Sequence, residues 1–270
     1  MGRELTREAA GGAQTAERAL ALLQAFTDEH PERRIAELVQ ATGLGQSTVS
    51  RLIGALESLG FVTQDPRSGL YRLGHAVVTL SGVALNQSAV HQHARQVAQD
   101  FAHELGLGSN VAERHGDTLH YLCHFEGRLA PRSFTMVGRS GPLHATAIGK
   151  ALLFDLNRDE VLDLLGTGYT SYTPKTITDA DELLAALEHG RSRGYTTEVE
   201  ELAFGRACIA APIRDRSGWV VAALSVSGPL SALDLPNQQD LLATKVIEYA
   251  DLVSTGLGYH ATTARQPTLA

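Results

Sequence analysis

Three stretches near the start of the chain place apolar side chains at intervals of three and four. Ala16, Ala19, Leu20, Leu23 and Phe26 form the first, ahead of Pro31. Ile35, Leu38 and Val39 form a shorter second one, ending at Thr42-Gly43; a glycine there suits the left-handed residue that closes a helix. Val49, Leu52, Ile53, Leu56 and Leu59 form the third. Such spacing collects apolar groups on one helical face, so the pattern predicts three helices, the last two joined by Gly43-Leu44-Gly45. After Leu59 the period changes. Two short β-rich runs, Gly60–Gln64 and Leu70–Leu73, flank Asp65-Pro66-Arg67-Ser68-Gly69, which predicts a hairpin.

Two helices with a tight glycine-containing turn, followed at once by a hairpin, make the pattern of a winged helix-turn-helix. Residues facing away from the third stripe fit that role. Gln46, Ser47, Thr48, Ser50 and Arg51 lie in the first turns of the third helix, where a recognition helix meets base edges and phosphates. Arg67 at the hairpin tip and Arg72 on its return strand are placed to reach the backbone or the minor groove. The same polar face would also serve a module that docks on another protein, and the pattern leaves that alternative open.

Beyond the hairpin, His75–Asn86 carries Val77, Leu80, Ala84 and Leu85 on a narrow stripe, either a dimer seam or a face packed on its own domain. Val90–Leu105 is a second amphipathic helix. Ser109–Arg114 and Thr118–Phe125 then read as strands around His115-Gly116-Asp117, with a third strand over Ser133–Val137. Helices are predicted at Ala145–Leu156, Asp159–Leu165 and Asp179–Arg193. A second hairpin joins Ala207–Ile213 to Trp219–Val226, and a closing helix runs from about Pro236 to Leu257. Strands paired as hairpins with helices between them indicate an α+β fold with an antiparallel sheet.

Composition narrows the reading. The 270 residues suit two domains, and no apolar run approaches the length of a membrane span. The first residues lack the apolar core of a secretory signal. Cys123 and Cys208 show no CxxC spacing, so reduced cytoplasm is the expected setting and no disulfide framework is indicated. The net charge of −7 is unevenly spread: residues 1–75 carry 8 Arg and 9 Asp/Glu, so most of the acidity lies beyond them. Any DNA contact must therefore come from a local arginine cluster rather than from bulk charge.

Three stretches together resemble the IclR family of bacterial regulators. They are Ala16–Leu20 with Gly45–Leu52, then Gly141-Pro142-Leu143-His144-Ala145-Thr146-Ala147-Ile148-Gly149-Lys150-Ala151, then Gly205–Ile213 followed by Ser225-Val226-Ser227-Gly228-Pro229. The resemblance implies a GAF-like effector domain behind a winged helix-turn-helix. It further implies dimers, often paired into tetramers on operator DNA, and a small carboxylic or aromatic acid as effector of a repressor or activator. On this basis the chain divides into an unstructured arm (1–13), the DNA-binding domain (14–74), a linker helix (75–88), the effector domain (89–260) and a flexible tail (261–270).

Carried over by motif, the effector site would use Ala147, Ile148, Glu198, Cys208, Ser225 and Ser227. Ser225 and Ser227 share one face of a strand, and the amides opening the HATAIGK helix would favour an anion. Two positions depart from the family pattern: Glu198 stands where Asp is common, and Arg206 where an apolar residue is usual. Arg206 either enters the cavity, adding a bidentate carboxylate binder, or faces solvent; Arg132, beside Ser133, has the same ambiguity, and Ser133 is a further candidate. Each small residue also has a plain structural role open to it, as does Cys208 among apolar neighbours. No cofactor is expected. An enzyme lacks support, since no G-x-S-x-G elbow is present. A metal site is not expected either, although His120 and His124, four apart on one strand, would share a face and leave a weak zinc option.

Overall fold

The computed structural model describes residues 2–130 and 135–260. The chain divides into two compact units between Ala84 and Leu85. The first contains α1 (Gly2–Gln24), β1 (Glu32–Arg33), α2 (Ile35–Thr42), α3 (Gln46–Ser58), β2 (Val62–Gln64) and β3 (Tyr71–Leu73), and α4 (His75–Gln87) begins in it. Its core is Leu22, Phe26, Leu38, Val49, Leu52, Ile53, Leu56, Val62 and Tyr71. The α3 stripe is therefore as expected except at Leu59, which is exposed past the helix end.

Three points differ from expectation in this unit. The segment expected as an arm is helical from Gly2. On α1 the inward stripe is Ala19, Leu22, Leu23 and Phe26, while Leu20 is 59% exposed. The hairpin also gains a third strand, because β1 pairs with β3 in the order β1-β3-β2. Arg72 thus stands on the central strand, opposite Thr63 on one side and Glu32 on the other. Gly43 closes α2 in the left-handed conformation, φ 67°, as predicted.

The second unit contains α5 (Ala89–Leu105), β4 (Gly108–His115), β5 (Thr118–Phe125), β6 (Ser140–Pro142), α6 (Ala147–Leu152), α7 (Arg158–Leu165), α8 (Ala180–Arg193), β7 (Thr196–Val199), β8 (Arg206–Arg214), β9 (Val220–Pro229), α9 (Leu230–Leu233) and α10 (Leu235–Gly256). Its six strands form one antiparallel sheet in the order β6-β5-β4-β9-β8-β7. The two predicted hairpins thus meet through β4 and β9. One face carries Val111, Ile209, Ala211, Leu224 and Val226, packed with Phe101 of α5 and Val246 of α10. Alternate residues turn to the other face, where Ala112, Ala210 and Ala223 meet Ile148 of α6 and Leu183 and Leu187 of α8. Alternation along each strand separates the two cores.

Corrections here are local. Residues 135–137 are not a strand, and the third strand lies instead at Ser140–Pro142; the remainder of the predicted strand, with Arg132 and Ser133, lies outside the described residues, as does the expected tail. The helix expected over Ala145–Leu156 is confined to Ala147–Leu152. Most consequential is the β4–β5 register, which pairs Val111 with Cys123 but Ala112 with Tyr121. Leu122 is thus an extra residue, a β-bulge. His124 pairs with Asn110 and His120 with Glu113, positions of opposite parity on β4. The two imidazoles consequently face opposite sides of the sheet, and the zinc option fails on geometry. Among the described residues no cluster of His, Cys, Asp or Glu could hold a metal.

Candidate DNA-binding surface and ligand cavity

In the first unit, burial of Val49, Leu52, Ile53 and Leu56 turns the opposite face of α3 outward. Gln46, Ser47, Ser50 and Arg51 are exposed and Thr48 is half-buried. The helix starts at Gly45, which offers no side chain to its first amides. In the wing, the Asp65 carboxylate accepts from the Arg67 amide at 2.8 Å, a turn that fixes the backbone at the tip. The same contact, with Ser68, holds the Asp65 carboxyl below its usual range. Arg67 and Arg72 are both exposed. Sequence reasoning passed over Arg34, an exposed guanidinium that lies beside Gly69 of the wing. Its only signal was its place just ahead of α2.

In the second unit the sheet face turned toward α6 floors a cavity of about 210 Å³. Two lateral rows of paired residues build that floor. One runs Thr196, Ala210, Ser225, Asn110 and His124 across five strands; the next runs Glu198, Cys208, Ser227 and Gly108. The cavity is lined by Asn110, Ser225, Ser227, Cys208, Glu198 and Arg206, with Thr146 and Ile148 of the α6 segment above them. Tyr121, Met136, Arg139, Leu202, Ala203 and Ala207 complete the wall. Of the residues expected there, Ala147 is not in the lining; it is fully buried and its carbonyl accepts from the Thr196 hydroxyl at 2.7 Å. Asn110 was missed because it lies 115 residues from Ser225 in sequence, and only strand pairing brings them together.

Electrostatics in the cavity are set by burial. Glu198 is 6% exposed. Loss of water pushes its carboxyl up to about 7, although its Oε1 accepts from the amides of Glu201 and Leu202. Desolvation likewise pushes the Cys208 thiol to about 12, so it stays protonated. Arg206 points inward: it lines the cavity, and its Nη2 is buried without a hydrogen-bond partner. A buried guanidinium nitrogen left unpaired is costly and invites an anion. Helix α6 itself is short, and the Thr146 hydroxyl already accepts from the Gly149 amide. Donors on this side of the cavity are therefore the Arg206 guanidinium and the serine hydroxyls as well as any free helix amides.

A winged helix-turn-helix with an exposed polar recognition helix, in one chain with a sheet-floored cavity, defines a ligand-responsive transcription regulator. Comparison with known proteins agrees. Residues 82–255 match the model for the bacterial transcriptional regulator IclR C-terminal domain, and residues 15–66 match the IclR helix-turn-helix domain. The chain belongs to the IclR family. It is 36% identical over 261 residues to the HTH-type transcriptional repressor AllR of Escherichia coli K12, covering 93% of this chain and 92% of that one. Among solved structures it resembles a protein assigned as a transcriptional regulator from Rhodococcus sp. RHA1, with TM-score 0.81 and 28% identity, covering 91% of this chain and 98% of that one. It also shares the fold of an IclR homologue from Microbacterium hydrocarbonoxydans crystallised with 4-hydroxybenzoate, with TM-score 0.77, 24% identity and coverage of 90% and 99%. The first two of these relatives carry the names of transcriptional regulators. No helix among the described residues is long and apolar enough to cross a membrane.

Proposed function

We propose that the chain is a cytoplasmic repressor whose hold on operator DNA is set by a small carboxylate bound in the 210 Å³ cavity. The observation that carries the ligand class is the buried, unpartnered Nη2 of Arg206 beside two serine hydroxyls. An arginine fork matches a carboxylate better than any neutral group. The relation to a repressor and the 4-hydroxybenzoate bound by a structural neighbour support the same reading. DNA contact is assigned to Gln46, Ser47, Thr48, Ser50 and Arg51 on α3, with Arg67, Arg72 and Arg34 on phosphates. We assign a homodimer, able to pair into a tetramer on DNA, to the surface of α4. None of the α4 residues is buried in the single chain, and Val78, Leu80 and Val83 are all about half exposed or more; an apolar helix left uncovered fits a two-fold seam.

The test is a thermal-shift screen of small monocarboxylates against the purified chain, followed by gel shift on its own promoter. Stabilisation by an acid, with release of the DNA by that same acid, is the expected result. Stabilisation by none, or release without stabilisation, sinks the reading.

A further inference from the structure

One side chain in the cavity is tied to a residue outside it. Asn110 lies on β4 with His124 of β5 beside it in one direction and Ser225 of β9 in the other. Its Oδ1 stands 2.8 Å from His124 Nδ1. Its Nδ2 stands 3.4 Å from Ser225 Oγ and 3.3 Å from Ser227 Oγ. His124 has a side chain only 4% exposed and is not part of the cavity wall.

The chemistry of these groups gives the contacts a direction. An amide oxygen only accepts, so the imidazole donates from Nδ1. An amide nitrogen only donates, and it has two hydrogens, one for each serine. Each serine oxygen therefore receives a hydrogen bond from Asn110 and keeps its own proton for another acceptor. The Ser225 hydroxyl also faces the Cys208 thiol. Ser227 has no acceptor for its proton among the described residues, and it lines the cavity. With the Arg206 guanidinium, which can only donate, that end of the cavity presents more donors than acceptors.

We infer that Asn110, held by His124, is a positioning residue that commits the Ser227 hydroxyl to donate into the cavity, so that it takes a carboxylate and rejects the matching primary amide. This rests on the ligand-cavity reading above and adds the element that sets its polarity. A carboxylate offers only acceptors, whereas a primary amide brings two N–H groups that would meet mostly donors. Leaving such groups unpaired in a closed site is a strong basis for rejection.

The experiment is isothermal titration of the full chain with two matched pairs, 4-hydroxybenzoate against 4-hydroxybenzamide and propionate against propionamide. Wild type is expected to favour the acid by about tenfold or more in at least one pair. Asn110→Ala frees the hydroxyls and His124→Ala frees the amide to turn over; both are expected to bring the ratio to within about threefold. Asn110→Asp, which draws both hydroxyl protons toward itself, is expected to favour the amide. His124→Ala is the sharpest arm, because it changes neither the cavity wall nor the charge on Asn110. Should Asn110→Asp not fold, the two alanine variants decide the matter alone. An unchanged acid preference in folded His124→Ala and Asn110→Ala overturns the inference and leaves the cavity reading intact. A wild-type preference for the amide overturns it too. Binding of no member of either pair by wild type overturns both.

Discussion

The Lys150 ammonium stands 2.7 Å from the Glu201 carboxylate, and the lysine side chain is only 4% exposed. Lys150 closes the HATAIGK motif on α6, while Glu201 follows β7, so the pair ties the helix to the edge of the sheet. Desolvation still raises the Glu201 carboxyl despite its partner, which marks how little water reaches it. Lys150→Met would strand a buried carboxylate. We expect a loss of about 3–5 kcal/mol, the usual cost of breaking a buried pair from one side. Replacing both partners, as Lys150→Met with Glu201→Leu, should restore most of it. Urea unfolding of the three proteins checks this; equal losses in the single and double variants would refute it.

Glu198 makes stability depend on pH. Its carboxyl is raised from 4.5 to about 7 by burial. Below about pH 4.5 both folded and unfolded chains hold this proton; between there and about 7 only the folded chain does. The stability it contributes is therefore complete at the acid end and is lost as pH rises through the folded value. Across that window Glu198→Gln should gain about 3 kcal/mol relative to wild type. Denaturant midpoints at intervals from pH 4.5 to 8 would show the two curves diverging, and parallel curves would rule it out.

Operator binding should respond differently to the arginines and the serines. Arg67→Ala removes one phosphate contact, so the slope of log affinity against log salt should fall by about one. Ser47→Ala or Ser50→Ala should leave that slope alone and relax base preference instead. Fluorescence anisotropy at several salt concentrations, on operator and scrambled DNA, separates the two effects. An unchanged slope for both Arg67→Ala and Arg51→Ala would favour a protein-docking role for this unit.

The backbone approach at Gly149 is close. A Cβ there would lie 2.5 Å from the Leu143 carbonyl and 2.6 Å from the Thr146 hydroxyl. Gly149→Ala should cost about 1–3 kcal/mol through overpacking and should widen the cavity roof formed by Thr146 and Ile148. A melting curve matching wild type would contradict it.

Leu80→Lys with Val83→Lys should leave the chain monomeric if α4 is the seam. Sedimentation velocity reads this directly, and a dimer that survives both changes would place the interface elsewhere.

Much of this molecule was readable from pattern alone. The α3 stripe and the two hairpins of the effector unit came through because their periods run for several residues and their turns carry Gly116 and Gly218. Leu20 was placed inside and proves exposed, since a helix with Ala16, Ala19, Leu20, Leu22 and Leu23 offers two nearly equivalent faces and only tertiary packing selects one. Strand β7 is four residues long with Thr, Thr and Glu in it, too polar and brief to register. Serines and Arg206 were found through motif resemblance, whereas Asn110 and His124 required the strand order. At the HATAIGK helix the Thr146 hydroxyl takes up the Gly149 amide, a contact within the motif that its resemblance did not reveal.

Leu122 has a meaning beyond the lost histidine pair. Ahead of it on β5 the odd-numbered Leu119 and Tyr121 join the core on the α6 side, and after it the odd-numbered Cys123 and Phe125 join the other. The strand is in effect two half-strands out of phase by one residue. Deleting Leu122 would bring the halves back into step, with Tyr121 and His124 both kept on the α6 side and Cys123 on the other.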